Sequence, residues 1–142
     1  MSAYSLPVLM YHYVSRFPGA IAVSPEHFED QCRGMAEHGW RGIGLDEAEG
    51  FLLKGAPLPP RSLLITFDDG YRSNYTLAYP ILQKYSMKAT IFALGVSFGK
   101  DHYKDTDYTI TPHFGAAEAA ASRGVKLLVT PELGVTAYTC GD

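Results

Sequence analysis

The stretch that decides the fold of this 142-residue chain reads Leu64-Ile65-Thr66-Phe67-Asp68-Asp69-Gly70-Tyr71. It begins inside an apolar run, Ser62 to Phe67, and ends on two acids and a glycine. A continuous apolar run of this length is typical of a parallel strand that is covered on both faces. We therefore predict a buried strand over Ser62 to Phe67, broken by Asp68-Asp69-Gly70 at its carboxyl end.

Strand and helix patterns alternate along the rest of the chain. The predicted strands are 7–11, 40–45, 62–67, 88–94 and 125–129, and the predicted helices are 25–38 with Ser24 as N-cap, 46–54 closed by Gly55, 74–85 and 116–123. Such alternation predicts an α/β fold with a parallel sheet and right-handed crossovers, either an open sheet or part of a TIM-like barrel. Because closed (β/α) barrels usually need roughly 200 residues or more, we expect a partial or distorted one.

The composition predicts one globular domain over residues 1–142, since 46% of the residues are hydrophobic and 19% are charged. A formal net charge of −3 without a basic block argues against nucleic-acid binding. Cys32 and Cys140 are far apart and have no ligand-type spacing, which argues against a disulfide framework or a cysteine zinc site. We expect no signal peptide and no membrane span in the chain as it stands.

Two adjacent carboxylates at the end of a parallel strand can divide two tasks. Neighbouring residues that leave a strand point in different directions, so one carboxylate can bind a metal while the other acts as a general base. Gly70 permits a sharp turn. A simpler alternative is an Asp-Asp-Gly turn that caps the next helix. A magnesium-dependent phosphate enzyme is a third possibility, although the chain has no GxxxxGK[ST] phosphate loop.

The same stretch carries a family resemblance. Ile65 to Tyr71 resembles the first signature of the polysaccharide deacetylases, also called the NodB homology domain or carbohydrate esterase family 4. Val8 to His12 resembles the opening strand of the branch that acts on β-1,6-linked N-acetylglucosamine polymers. Phe28 to Gly39 resembles the first helix of that branch. Ala78 to Tyr85 and Lys88 to Phe92 resemble the helix and the strand that follow the family signature. The likeness runs from about Leu6 to Val125, so we expect a domain that is truncated after about residue 125.

The resemblance implies specific roles for a few residues. It implies an incomplete, distorted β/α barrel in which Asp68 is the general base and Asp69 is a ligand of a divalent metal, usually zinc. The family completes that site with two histidines of a His-x-x-x-His motif, yet no histidine follows His113 here. His12 could be a metal ligand or a substrate-facing group, and Tyr71 could face a sugar. The implied function is a hydrolase that removes N-acetyl groups from a polysaccharide containing N-acetylglucosamine, and the alternative is an inactive or truncated domain that binds glycans.

The sequence also predicts the positions of the other histidines, two loops and the sheet edges. We expect His27 and His38 on the surface of the first helix, and His102 and His113 as solvated or capping groups. Ser15 to Val23 is predicted to be a loop, and Ser97 to Thr109 is predicted to be either a substrate flap or a connector. An incomplete barrel leaves open sheet edges, so association with a second copy is a further expectation.

Overall fold

A computed structural model describes residues 5–17, 19–95, 97–101, 112–121 and 125–130 of the chain. Seven strands lie in the order β1 (Val8–Tyr11), β2 (Tyr13–Val14), β3 (Ala22–Val23), β4 (Arg41–Ile43), β5 (Ser62–Asp69), β6 (Ala89–Leu94) and β7 (Val125–Thr130). Four α-helices accompany them: α1 (Pro25–Glu37), α2 (Leu45–Lys54), α3 (Tyr79–Lys84) and α4 (Ala116–Ala121). A π-helical turn, Asn74–Ala78, precedes α3.

The main sheet is parallel throughout, which confirms the predicted α/β class. Strand β5 pairs with β1, β4 and β6, and β6 pairs with β7. Within this register Tyr11 lies beside Phe67, and Asp68 lies beside Phe92. The strands of the described residues do not close into a barrel. The architecture is a partial α/β fold whose carboxyl ends of β1, β5 and β6 lie along one edge.

One face of the sheet forms the main core. Side chains alternate between the two faces of a strand, and on β5 this alternation buries Ile65 and Phe67 against Phe28 and Cys32 of α1. Leu82 of α3 joins the same cluster. Ser24 caps α1 as predicted, because its hydroxyl accepts a hydrogen bond from the backbone N–H of His27 at 3.1 Å.

The opposite face of the sheet is covered unevenly. Leu64 packs with Ile43 and Ala48 in a smaller cluster beneath α2. Val8 and Met10 of β1, the neighbours of Leu64 and Thr66, are 56% and 62% exposed. We call Val8 and Met10 the open patch.

The boundaries of several predicted elements were wrong. Strand β5 does not end at Phe67 but continues through Asp68 and Asp69, because β6 runs alongside and pairs with both residues. The predicted loop Ser15 to Val23 folds back so that the backbone N–H of Ser15 donates to Val23 at 2.9 Å, which makes the short parallel pair β2–β3. Strand β4 is also shorter than predicted, and α2 begins at Leu45, one residue earlier.

The helix predicted over 74–85 is divided into two kinds of helix. Asn74 to Ala78 is π-helical, with the N–H of Tyr79 donating to the carbonyl of Asn74, and regular α-helix follows. Pro80 lies at the start of that regular part, because it has no N–H to donate and its ring crowds the preceding turn. In the described part of the chain, no helix is both long and apolar enough to cross a membrane.

Candidate functional site

Asp68 and His12 meet at the carboxyl edge of the sheet. Asp68 is the penultimate residue of β5, and His12 follows the last residue of β1. The two strands are paired up to Tyr11 and Phe67, so the next residue of each lies close to the other. His12 Nε2 lies 4.0 Å from Asp68 Oδ2, and both side chains are partly exposed. The structure therefore brings together two of the four residues that the sequence predicts for the site.

The backbone at Asp69 and Gly70 is unusual. Both residues have positive φ, 68° at Asp69 and 73° at Gly70. This region favours glycine, so the conformation of Asp69 is strained. At Gly70 a Cβ atom would lie 2.7 Å from Ala93 Cβ on β6, which leaves no room for a side chain. The strand therefore ends in a sharp turn at Asp69 and Gly70.

Burial dominates the electrostatics of Asp68. Loss of solvent raises the pKa of its carboxyl above the ordinary value, and the Asp69 carboxylate raises it further. The neighbouring His12 acts in the opposite direction and lowers the pKa. A carboxylate with a raised pKa binds a proton more readily, which is the property that a general base needs.

Tyr71 lies in an aromatic stack directly behind the turn. It is only 6% exposed, and its ring centroid lies 4.8 Å from that of Tyr13 and 4.8 Å from that of His113. This packing favours the role of a buried rim aromatic, and contact with a sugar stays a prediction. His113 is 1% exposed, so of the two alternatives expected for it, the solvated one was wrong. Its stacking partner Tyr71 is too distant in sequence for a local pattern to reveal the contact.

A second segment holds the turn in place, and sequence patterns did not reveal it. The N–H of Phe114 donates to the carbonyl of Gly70 at 2.8 Å, and the N–H of Arg72 donates to that of Pro112 at 2.7 Å. The Arg72 guanidinium also lies 3.1 Å from a carboxylate oxygen of Glu118. Asp68-Asp69-Gly70 is therefore fixed from both sides, by β6 and by this segment. The predicted flap Ser97 to Thr109 lies outside the described residues from 102 onward.

The described residues do not by themselves complete a zinc site. No group of three or more His, Cys, Asp or Glu side chains that could hold a metal occurs among them. Zinc sites in proteins use three or four protein ligands. Of the residues that the sequence predicts for the site, Asp68 and His12 lie together, and Asp69 is next to Asp68 in the chain. His27 and His38 are exposed on or beside α1, as expected, and His102 lies outside the described residues.

Comparison with known proteins decides the family. The family model described as polysaccharide deacetylase matches residues 55–127, about half of the chain, and this range includes the whole Asp-Asp-Gly turn. The chain belongs to the polysaccharide deacetylase family. YxkH of Bacillus subtilis (strain 168) is 41% identical to it over 98 residues, which is 69% of this chain and 35% of YxkH.

Two further relatives of this member of the polysaccharide deacetylase family are informative. The poly-beta-1,6-N-acetyl-D-glucosamine N-deacetylase of Escherichia coli (strain K12) is 31% identical over 117 residues, which is 75% of this chain and 17% of that enzyme. The solved structure of IcaB from Ammonifex degensii superposes with a TM-score of 0.77 at 26% identity, covering 91% of this chain and 54% of the other. These likenesses confirm the predicted NodB-type fold. The chain spans only about a third, a sixth and a half of these three proteins.

Proposed function

We propose that this protein removes N-acetyl groups from a polysaccharide that contains N-acetylglucosamine. Family membership and the likeness to a poly-beta-1,6-N-acetyl-D-glucosamine N-deacetylase support this substrate class. The observation that carries the proposal is the position of Asp68. It lies at the carboxyl edge of a parallel sheet, where active sites of α/β folds gather, with a raised pKa and a histidine beside it.

The proposed chemistry is hydrolysis of an acetamide. Water adds to the carbonyl carbon while Asp68 accepts the proton that the water loses. The carbon–nitrogen bond then breaks, acetate leaves, and the nitrogen takes up a proton to remain on the sugar as an amine. Partial burial raises the pKa of Asp68, which favours acceptance of this proton, and the neighbouring His12 acts in the opposite direction.

Asp69 is proposed as a metal ligand, and zinc is the metal that the family resemblance implies. A bound metal would polarise the acetamide carbonyl. The described residues supply fewer ligands than such a site uses, so zinc occupancy depends on groups outside them. His12 lies beside Asp68. We therefore assign His12 first to positioning and charge balance of the base, with metal or substrate contact as secondary roles.

The test is acetate release from β-1,6-linked N-acetylglucosamine oligomers. Removal of a general base typically lowers a rate by about 100-fold or more, and Asp68→Asn should do so without unfolding the protein. Asp30→Asn, which removes an exposed carboxylate on α1, is the matched control and should leave the rate unchanged. Equal rates for Asp68→Asn and the unaltered protein would contradict the proposal.

A second candidate function is glycan binding without catalysis. The shortage of metal ligands among the described residues favours it. This alternative predicts that the protein binds the oligomers but releases no acetate at any zinc concentration. Zinc titration by calorimetry, with Asp69→Asn as the comparison, separates the two candidates because only the enzyme needs a site that depends on Asp69.

A further inference from the structure

A surface cavity of about 310 Å³ lies beside the loop between β2 and β3. Its lining includes Ser15, Arg16, Phe17, Ser24 and His27. This volume is near the lower end of the range for small-molecule sites. Neither the family resemblance nor the chemistry of the Asp-Asp-Gly turn assigns a role to these residues.

The cavity is connected to the candidate active site through a short and well-fixed piece of chain. Ser15 is three residues beyond His12, and its N–H is held by the carbonyl of Val23. Between them, Tyr13 packs its ring on Tyr71 of the turn at 4.8 Å. The loop that lines the cavity is therefore anchored to the same edge of the sheet as Asp68.

The lining has the chemistry of a sugar site. Phe17 is 79% exposed, an unusual state for a large aromatic ring, and its surface is free to stack. The C–H groups on one side of a pyranose ring form an apolar face, which gains hydrophobic and dispersion energy when it covers such a ring. Arg16 and His27 supply polar N–H groups at the rim, where hydroxyl and acetamide oxygens can accept hydrogen bonds.

Charges of both signs lie at or near the cavity. The pKa of Glu26 is lowered, first by a backbone hydrogen bond and by Ser24, and to a smaller extent by the charges of Arg16 and His27. Glu26 therefore brings a negative charge near the positive charge of Arg16. The hydroxyl and acetamide groups of an uncharged sugar need neither of these charges, because they bind through hydrogen bonds.

We infer that this cavity is a subsite for a second, unreacted N-acetylglucosamine unit of the same glycan chain that reaches Asp68. The inference rests on the proposed deacetylase function and adds the residues that select a polymer over a single sugar. Phe17 is the stacking platform, and Arg16 and His27 orient the ring.

The test compares binding of a β-1,6-linked N-acetylglucosamine tetramer and of the monomer, measured by calorimetry on the full chain in the Asp68→Asn background. Phe17→Ala should weaken tetramer binding about tenfold, as the loss of one aromatic contact in a binding site does, and should change monomer binding little. Leu53→Ala is the matched control, because Leu53 is 77% exposed on α2 and outside the cavity. Since Phe17 is exposed, its removal should not unfold the protein.

Each outcome separates this inference from the function on which it rests. The subsite is contradicted if the protein does not bind the tetramer. It is also contradicted if Phe17→Ala and Leu53→Ala change tetramer binding equally. Phe17→Ala reducing adsorption to phospholipid vesicles while leaving tetramer affinity unchanged also overturns it. If the unaltered protein releases acetate but tetramer binding does not depend on Phe17, the deacetylase function is supported and the subsite is contradicted. Phe17-dependent tetramer binding without acetate release supports the subsite and contradicts the enzyme.

Discussion

At the residue scale, Asp68 combines its proposed role as a general base with a cost in stability. Its carboxyl is partly buried and its pKa is raised in the folded protein. The folded state therefore holds a proton more tightly than the unfolded chain does. By linkage, stability falls as pH rises through the ordinary Asp pKa of about 3.9 toward the raised value. Near neutral pH the ionised Asp68 then weakens the fold slightly, as is common at active sites.

Asp68→Asn should therefore raise the free energy of unfolding at pH 7. The expected gain is below about 1 kcal/mol, because the side chain is 35% exposed and solvent screens its charge. The gain should shrink below about pH 4, where the carboxyl becomes neutral in both states. Urea unfolding at pH 3, 5 and 7 checks this, with Asp30→Asn as the control for loss of one charge. A variant that is less stable than the parent at pH 7 would contradict the raised pKa of Asp68 in the folded protein.

The site residues were predictable from sequence to different degrees. Asp68 and Asp69 follow from the apolar run that precedes them, and the end of the first strand places His12 at the same edge of the sheet. That His12 lies beside Asp68 depends on the register of β1 with β5, which the sequence does not specify. The positive φ of Asp69 could not be foreseen, because nothing local distinguishes it from an extended residue. The burial of His113 depends on a stacking contact with Tyr71 across the fold.

At the element scale, the close contact between the end of β5 and β6 fixes the turn. Strand β5 was predicted to stop at Phe67 because acids rarely belong to a buried strand. Pairing with β6 outweighs that preference and carries the strand to Asp69. The pair β2–β3 and the π-helical turn were also unforeseen. Two-residue strands are too short to show an alternating pattern, and the π-helical turn is defined by its backbone hydrogen bonds and not by a side-chain pattern.

Gly70→Ala should destabilise the protein by about 2–4 kcal/mol. One part of this cost is the strain of a side chain at positive φ, and the other is the overlap of its Cβ with Ala93. Gly55→Ala is the matched control. Gly55 also has positive φ, at 66°, but no atom lies within 4 Å of its would-be Cβ. It should therefore lose only about 1 kcal/mol from strain.

Thermal and urea unfolding of both variants measure the difference. Similar losses at positions 70 and 55 would mean that the contact between the turn and β6 is looser than the structure shows. A larger loss at position 70 would show that this contact, and not backbone strain alone, determines the cost.

At the scale of the whole molecule, the sheet is unevenly covered. The sequence predicted a partial barrel with open edges, and the described strands do not close. The open patch lies on β1, whose one partner among the described strands is β5. An exposed strand edge with apolar neighbours is a common site of association.

We expect the protein to self-associate through the open patch at micromolar concentrations. Met10→Lys should shift it toward the monomer, because a charge cannot be buried in an apolar contact without a partner. Sedimentation over a tenfold range of concentration measures the change. Leu53→Lys is the control, since it alters an equally exposed apolar residue on α2. Equal behaviour of the two variants would exclude the open patch as the interface.

The central position of β5 also has a consequence for the order of folding. Its register with β6 joins Thr66 to Thr90, whereas its register with β1 joins Val8 to Leu64 across a much longer loop. Closing the longer loop requires a larger loss of chain entropy before any contact compensates for it. The β5–β6 pair should therefore form early and β1 should join late. His12 would reach Asp68 in one of the final steps, so the candidate site matures only when the chain has nearly finished folding.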